Sequence, residues 1–239
     1  MVMGYALFKK MLAPLVLGAA LVSAGAPGHA APAPAKAPAK TPAKAQERVI
    51  LAFGDSLTAG YGLPANEGFT RQLEDRLKAQ GLNVRVHNAG VSGDTSSGGR
   101  SRLGWVLSSM KEKPDLVILE LGANDALRGI DPKITRENMD AMLGELKKRN
   151  LNVLLAGMYA PRALGAAYYK QFDAIYPDMA KKHGVPLYPF FLEGVAGNPK
   201  LNQRDGIHPN KDGVAQIVKR ITPPVSRALQ GSGSRVVTR

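Results

Sequence analysis

Residues 49–56 read VILAFGDS. Val49 to Phe53 is an uninterrupted apolar run, and Gly54 ends it. A short run that is apolar on both alternations fits a strand buried on both faces, the habit of parallel sheets. Outward from it, similar runs alternate with helical patterns. Phe69, Leu73 and Leu77 are spaced by four in FTRQLEDRLKAQ, and Gly81 stops that helix. Asn83 to His87 is rich in valine and reads as a second strand, and Leu103, Val106, Leu107 and Met110 give residues 95–111 helical spacing. Leu116 to Leu119 is a third strand, and Asp131-Pro132 opens a helix through Leu146 with proline in its first turn. Leu151 to Met158 and Leu187 to Phe191 read as the fourth and fifth strands. Between them, Tyr168 to His183 is helical, with Pro177 kinking or interrupting it. The last helix starts at Lys211, and Pro223-Pro224 is expected to break it after Ile221.

This alternation predicts one α/β domain with a five-stranded parallel sheet and helices on both faces. In such sheets ligands bind beyond the C-terminal ends of the strands, so chemistry-bearing residues should follow the strands directly.

The chain has 239 residues, 44% of them hydrophobic and 21% charged, the profile of a soluble globular protein. It has no cysteine, which excludes disulfides, thiol nucleophiles and cysteine-ligated metal sites. Lys9 and Lys10, the uncharged stretch Met11 to Ala26, and small residues at Gly28 and Ala30 read as a signal peptide cut after Ala30. Residues 31–46, APAPAKAPAKTPAKAQ, read as a basic, semi-rigid linker capable of at most weak contact with a membrane surface. Residues 231–239 read as a disordered tail, which leaves 47–230 as the domain. Removing the five lysines of residues 1–46, Arg235 and Arg239 reduces the net charge of +13 to an ordinary +6. No basic stripe interleaved with aromatics is present, which speaks against nucleic-acid binding.

Four polar, glycine-rich segments meet the positional test: GDSL at 54–57, SGDT at 92–95, GAND at 122–125 and DGIHP at 205–209. Acyl transfer to a serine needs an exposed hydroxyl, an imidazole base, a carboxylate to fix the imidazole, and donors for the oxyanion. Ser56, His208 and Asp205 supply the first three, and the amides of Ser56 and Gly93 with the side chain of Asn124 can supply the donors. Singly, each has a plainer reading: Ser56 as a helix cap, Gly93 as a turn, Asn124 as a cap, His208 as a surface histidine. His208 is the histidine with an aspartate close by in a strand-end loop, whereas His87 falls in a strand and His183 near a helix end. This chemistry needs no cofactor and no metal.

These segments resemble the four blocks of the SGNH (GDSL) hydrolases, and the resemblance runs from about Val49 to Leu229. ELGANDALRG and FDAIYP further resemble the subgroup of periplasmic acyl-CoA thioesterase I/lysophospholipase enzymes and bacterial arylesterases. The resemblance implies a flavodoxin-like three-layer α/β/α sandwich. It implies Ser56 as nucleophile, Asp205 and His208 as acid and base, and Ser56, Gly93 and Asn124 as the oxyanion hole. It also implies a small acyl-ester, thioester or lysophospholipid substrate, with residues 159–169 bordering an acyl groove. Ala123 departs from the pattern, standing where relatives often have glycine. A periplasmic or secreted monomer is expected. Two other readings use the same residues: a carbohydrate O-acetylesterase, and a cell-surface binding module with a vestigial site.

Overall fold

The computed structural model describes residues 46–231. The expected leader, nearly all of the linker and residues 232–239 of the expected tail lie outside the described residues. Strand β1 (Arg48–Gly54) is buried from Val49 onward, as its apolar run requires. It is flanked by β2 (Val84–Gly90) and β3 (Leu116–Glu120), with β4 (Val153–Ala156) and β5 (Leu187–Tyr188) beyond. The order is β2-β1-β3-β4-β5 and every pairing is parallel. This is the flavodoxin-like order, whose ligand crevice opens between β1 and β3, where the winding reverses.

The short helix α1 (Ser56–Ala59) follows β1, and α2 (Phe69–Ala79) leads to β2. Helix α3 (Ser96–Ser109) crosses back to β3, followed by α4 (Ala123–Leu127) and α5 (Pro132–Lys148). Between β4 and β5 lie α6 (Ala166–Asp173) and α7 (Ile175–His183), and α8 (Lys211–Gly231) closes the domain. Helix α2 packs on α8, while α5 packs between α3 and α7, giving the two outer layers. Right-handed crossovers enforce this division, because β1→β2 runs in the opposite direction to the later connections.

Three sequence expectations change. Helix α8 runs through Pro223 and Pro224 instead of ending before them. The prolines remove the hydrogen bonds that would reach the carbonyls of Lys219 and Arg220, two residues exposed to water. Ile221, Val225 and Leu229 stay buried on the other face, each worth roughly 1.5–3 kcal/mol, which together offset a cost of about 3 kcal/mol for each of the two prolines. Consequently Gly231, assigned to the tail, is the last residue of α8. Second, the helix of 168–183 divides at Ala174, which places Pro177 in the first turn of α7, where its missing N–H is harmless. Third, β4 and β5 are shorter than their apolar runs. Met158 and Phe191 are apolar because their loops pack inward, with Phe191 edge-on to Phe69 at 5.0 Å.

Among the described residues no helix is long and apolar enough to cross a membrane.

Candidate active site

Ser56 stands at the first turn of α1, immediately beyond β1. Its neighbour Asp55 is the helix cap, accepting the Leu57 amide at 3.0 Å, so the Ser56 hydroxyl has no capping duty. A side chain at Gly54 would strike Thr58 and Glu120, and one at Gly90 would strike Ala59. The two glycines therefore let α1 sit directly against the strand ends.

His208 arrives from the loop between β5 and α8. Its Nε2 lies 2.9 Å from Ser56 Oγ, and its Nδ1 lies 2.7 Å from Asp205 Oδ2. The other Asp205 oxygen accepts the amides of Ile207 and His208, both at 3.0 Å. Burial pushes the Asp205 carboxyl up, but the hydrogen bonds from the His208 ring and the two amides outweigh it and hold it below the usual range. Asp205 is therefore an anion beside the ring throughout the neutral range.

Gly93 sits in a turn closed by the Asp94 amide on the Val91 carbonyl, with φ at +80°. Its carbonyl accepts Arg128 at 2.8 Å. Neither the Gly93 nor the Ser56 amide forms a hydrogen bond among the described residues, so both are free to donate to a ligand. Asn124 is in the first turn of α4, behind Gly122 at φ +111°. A Cβ at Gly122 would collide with the Tyr176 hydroxyl, which itself donates to the Leu121 carbonyl at 2.8 Å. The Asn124 amide donates to the Asp94 carbonyl at 3.0 Å and to Asp55 Oδ2 at 3.2 Å. Behind it, fully buried Asp125 accepts the Ser96 amide at 2.8 Å and the hydroxyls of Ser96 and Thr135, bracing α4 against α3 and α5.

The structure thus brings Ser56, Gly93, Asn124 and His208 to one cleft of about 700 Å³, with Asp205 behind the His208 ring. Met158, Phe190, Leu192 and Ile207 make much of its wall apolar. Tyr159 stacks on Phe190 at 4.7 Å, and Asp173 holds this loop through the Ala160 amide and Arg162. His87 and His183 lie outside the cleft, although His183 has a carboxylate partner the sequence did not reveal, Asp140 at 2.6 Å. Among the described residues no cluster of three or more His, Cys, Asp or Glu could hold a metal ion.

Sequence reading missed three residues here. Tyr61 is half exposed and lies 4.5 Å from the His208 ring between centroids, and its carbonyl is tied to Gln203 at 2.7 Å. Asp55 and Glu120 are fully buried carboxyls between β1, α1 and β3. The GDSL and ELGAND segments carried them in plain view, but only the strand order puts them face to face. Burial, then the neighbouring Asp55, pushes the Glu120 carboxyl well above the carboxylate range. Burial also raises Asp55, to about 6, against the opposing pull of the Leu57 amide, His208 and Asn124.

This has a stability consequence. Between the ordinary carboxylate value of 3.8 and about 6, folded Asp55 holds a proton that the unfolded chain releases. Stability therefore falls as pH rises through that interval, and ionising this buried group costs about 3 kcal/mol above it. Calorimetry is expected to find the thermal midpoint higher at pH 5 than at pH 8, with a smaller drop in Asp55→Asn. A midpoint that climbs over this range would rule the assignment out.

A doubly wound parallel sheet with this cleft at its switch point is an α/β/α sandwich with its ligand site at the strand ends. The chain belongs to the GDSL-like lipase/acylhydrolase family, whose sequence profile matches residues 52–216, and it is a carboxylic-ester hydrolase. It is 38% identical over 185 residues to esterase TesA of Pseudomonas aeruginosa, covering 77% of this chain and 91% of that one. It is 41% identical over 163 residues to thioesterase 1/protease 1/lysophospholipase L1 of Escherichia coli K12, covering 68% and 76%. Among solved structures, the SGNH-hydrolase family esterase AlinE4 is 49% identical with a TM-score of 0.67, covering 78% and 99%.

Proposed function

We propose that this chain is an exported serine esterase that cleaves small acyl esters and thioesters, lysophospholipids included, through Ser56, His208 and Asp205. The observation that carries the reading is the unbroken series Asp205–His208–Ser56, at 2.7 and 2.9 Å, opening on an apolar cleft. Ser56 Oγ attacks the substrate carbonyl while its proton passes to His208 Nε2. The carbonyl electrons move to oxygen, and that oxyanion takes the free amides of Ser56 and Gly93 and the Asn124 side chain. The intermediate collapses, the carbon–oxygen or carbon–sulfur bond breaks, and His208 returns the proton to the leaving group. Water then repeats the sequence on the acyl-enzyme. Asp205 stabilises the imidazolium formed on the way.

The apolar wall suits an alkyl or aryl group better than a sugar, favouring acyl esters over acetylated carbohydrate. Residues 1–30 are assigned as the leader and 31–46 as the linker of a monomeric, periplasmic or secreted enzyme. A panel of 4-nitrophenyl esters, acyl-CoA thioesters, lysophospholipids and acetylated sugars tests the substrate class. Efficiency is expected to rise from acetate to longer chains. Preference for acetylated sugars would replace this reading with the O-acetylesterase. Amino-terminal sequencing of protein recovered outside the cytoplasm should begin at Ala31.

A further inference from the structure

In the free enzyme the Asn124 amide nitrogen has two acceptors within hydrogen-bond reach, and one of its two hydrogens must turn from them to the oxyanion when that forms. The acceptors are the Asp94 carbonyl at 3.0 Å and Asp55 Oδ2 at 3.2 Å. The first fixes the amide from one side, and the second fixes its rotation from the side of the nucleophile's own helix. Asp55 is fixed in turn, because its Oδ1 caps the Leu57 amide at 3.0 Å and its backbone amide points at Glu120 Oε2 at 3.4 Å. That Glu120 oxygen also takes the Thr58 hydroxyl at 2.7 Å.

We propose that Asp55 is a positioning residue for the oxyanion donor: its carboxylate, clamped between the Leu57 and Asn124 amides, sets the angle at which Asn124 meets the oxyanion. This rests on the reading of Asn124 as an oxyanion donor. An ionised carboxylate accepts through both oxygens, which this clamp requires. A neutral acid or an amide keeps one good acceptor and turns a donor toward the other side. With the Leu57 cap retained, that donor faces the Asn124 amide hydrogens and drives the amide off its line. Asp55 thus works only as an anion. The groups facing Asp55 are His208 from the last loop, Asp94 from the loop after β2, Glu120 from β3 and Tyr176 from α7. Arg102 neutralises Asp94 at 2.7 Å. With Asp55 titrating at about 6, mild acid does to the wild type what Asp55→Asn does at any pH.

The test is a double-mutant cycle on a 4-nitrophenyl ester, joined to pH profiles, with active enzyme counted by fluorophosphonate titration. At pH 8, Asp55→Asn is expected to lower kcat about 10²-fold, within the range for loss of one oxyanion donor, and to leave KM little changed. Asp55→Asn combined with Asn124→Ala should fall no more than about threefold below Asn124→Ala alone, because the carboxylate acts through that amide. In the wild type, log(kcat/KM) should steepen from a slope of one toward two as pH drops below about 6. In Asp55→Asn the slope should stay at one. Losses that multiply in the double variant, a change confined to KM, or a second proton that survives Asp55→Asn would overturn the proposal. The wild-type slope needs no variant, so it decides even if Asp55→Asn fails to fold. An active Ser56→Ala would instead overturn the reading of the site itself.

Discussion

Ser56→Ala is expected to lower kcat for an activated ester by about 10⁶-fold while the thermal midpoint barely moves. The two halves of this expectation have separate origins. Asp55, not Ser56, caps α1, and the Ser56 side chain bonds to His208 alone among the described residues. Removing its oxygen therefore leaves no structural hydrogen bond broken in the helix. The hydroxyl is nonetheless the group that would form the acyl bond, and water held by the oxyanion donors is a poor substitute. His208→Ala should be nearly as severe. The double variant should be scarcely worse than either single, because a nucleophile without its base and a base without its nucleophile are equally idle. Stopped assays at high enzyme concentration, with calorimetry on the same samples, check both halves. A Ser56→Ala enzyme within a hundredfold of wild type would sink the serine mechanism, as would multiplicative losses in the double.

The centre of the sheet was readable because β1, β3 and β4 are buried on both faces and so appear as apolar runs, whereas the edge strand β2, VRVHNAG, is half exposed and shows only its valines. VILAF, LVIL and the core of LNVLLAGM are examples. The same signal overshoots where a loop packs inward, as at Met158 and Phe191. It cannot foresee α8, since a proline pair stops a helix in isolation but not one whose opposite face is pinned by Ile221, Val225 and Leu229. The Asp205–His208 pair was legible because three residues of loop bring carboxylate and ring together. Ser56 lies 152 residues away from His208, and only the convergence of parallel strand ends joins them. Asp55 and Glu120 were illegible for the opposite reason. Their burial comes from the register that sets Phe53 beside Leu119, one residue before Glu120, and no local pattern announces that.

Asp205→Asn tests the other end of the relay, and its expected effect comes from tautomers more than from lost charge. In the wild type one Asp205 oxygen holds the Ile207 and His208 amides and the other holds His208 Nδ1. An asparagine has one acceptor for these two jobs. The two amides hold the carbonyl more strongly than the single ring N–H, so the side-chain NH₂ is turned toward Nδ1. That nitrogen must then accept, which moves the ring proton to Nε2, facing Ser56. A histidine in this form cannot take the serine proton, and kcat should fall by about 10⁴-fold. The Asp205 side chain is 38% exposed, so folding stability should hardly respond. KM should stay near its wild-type value, because Asp205 does not line the cleft. Steady-state kinetics together with ¹⁵N spectra of the His208 ring check the argument: the proton should sit on Nδ1 in the wild type and on Nε2 in the variant. A variant within tenfold of wild-type turnover, or an unchanged ring tautomer, would show that Asp205 holds the loop and leaves the chemistry to Ser56 and His208.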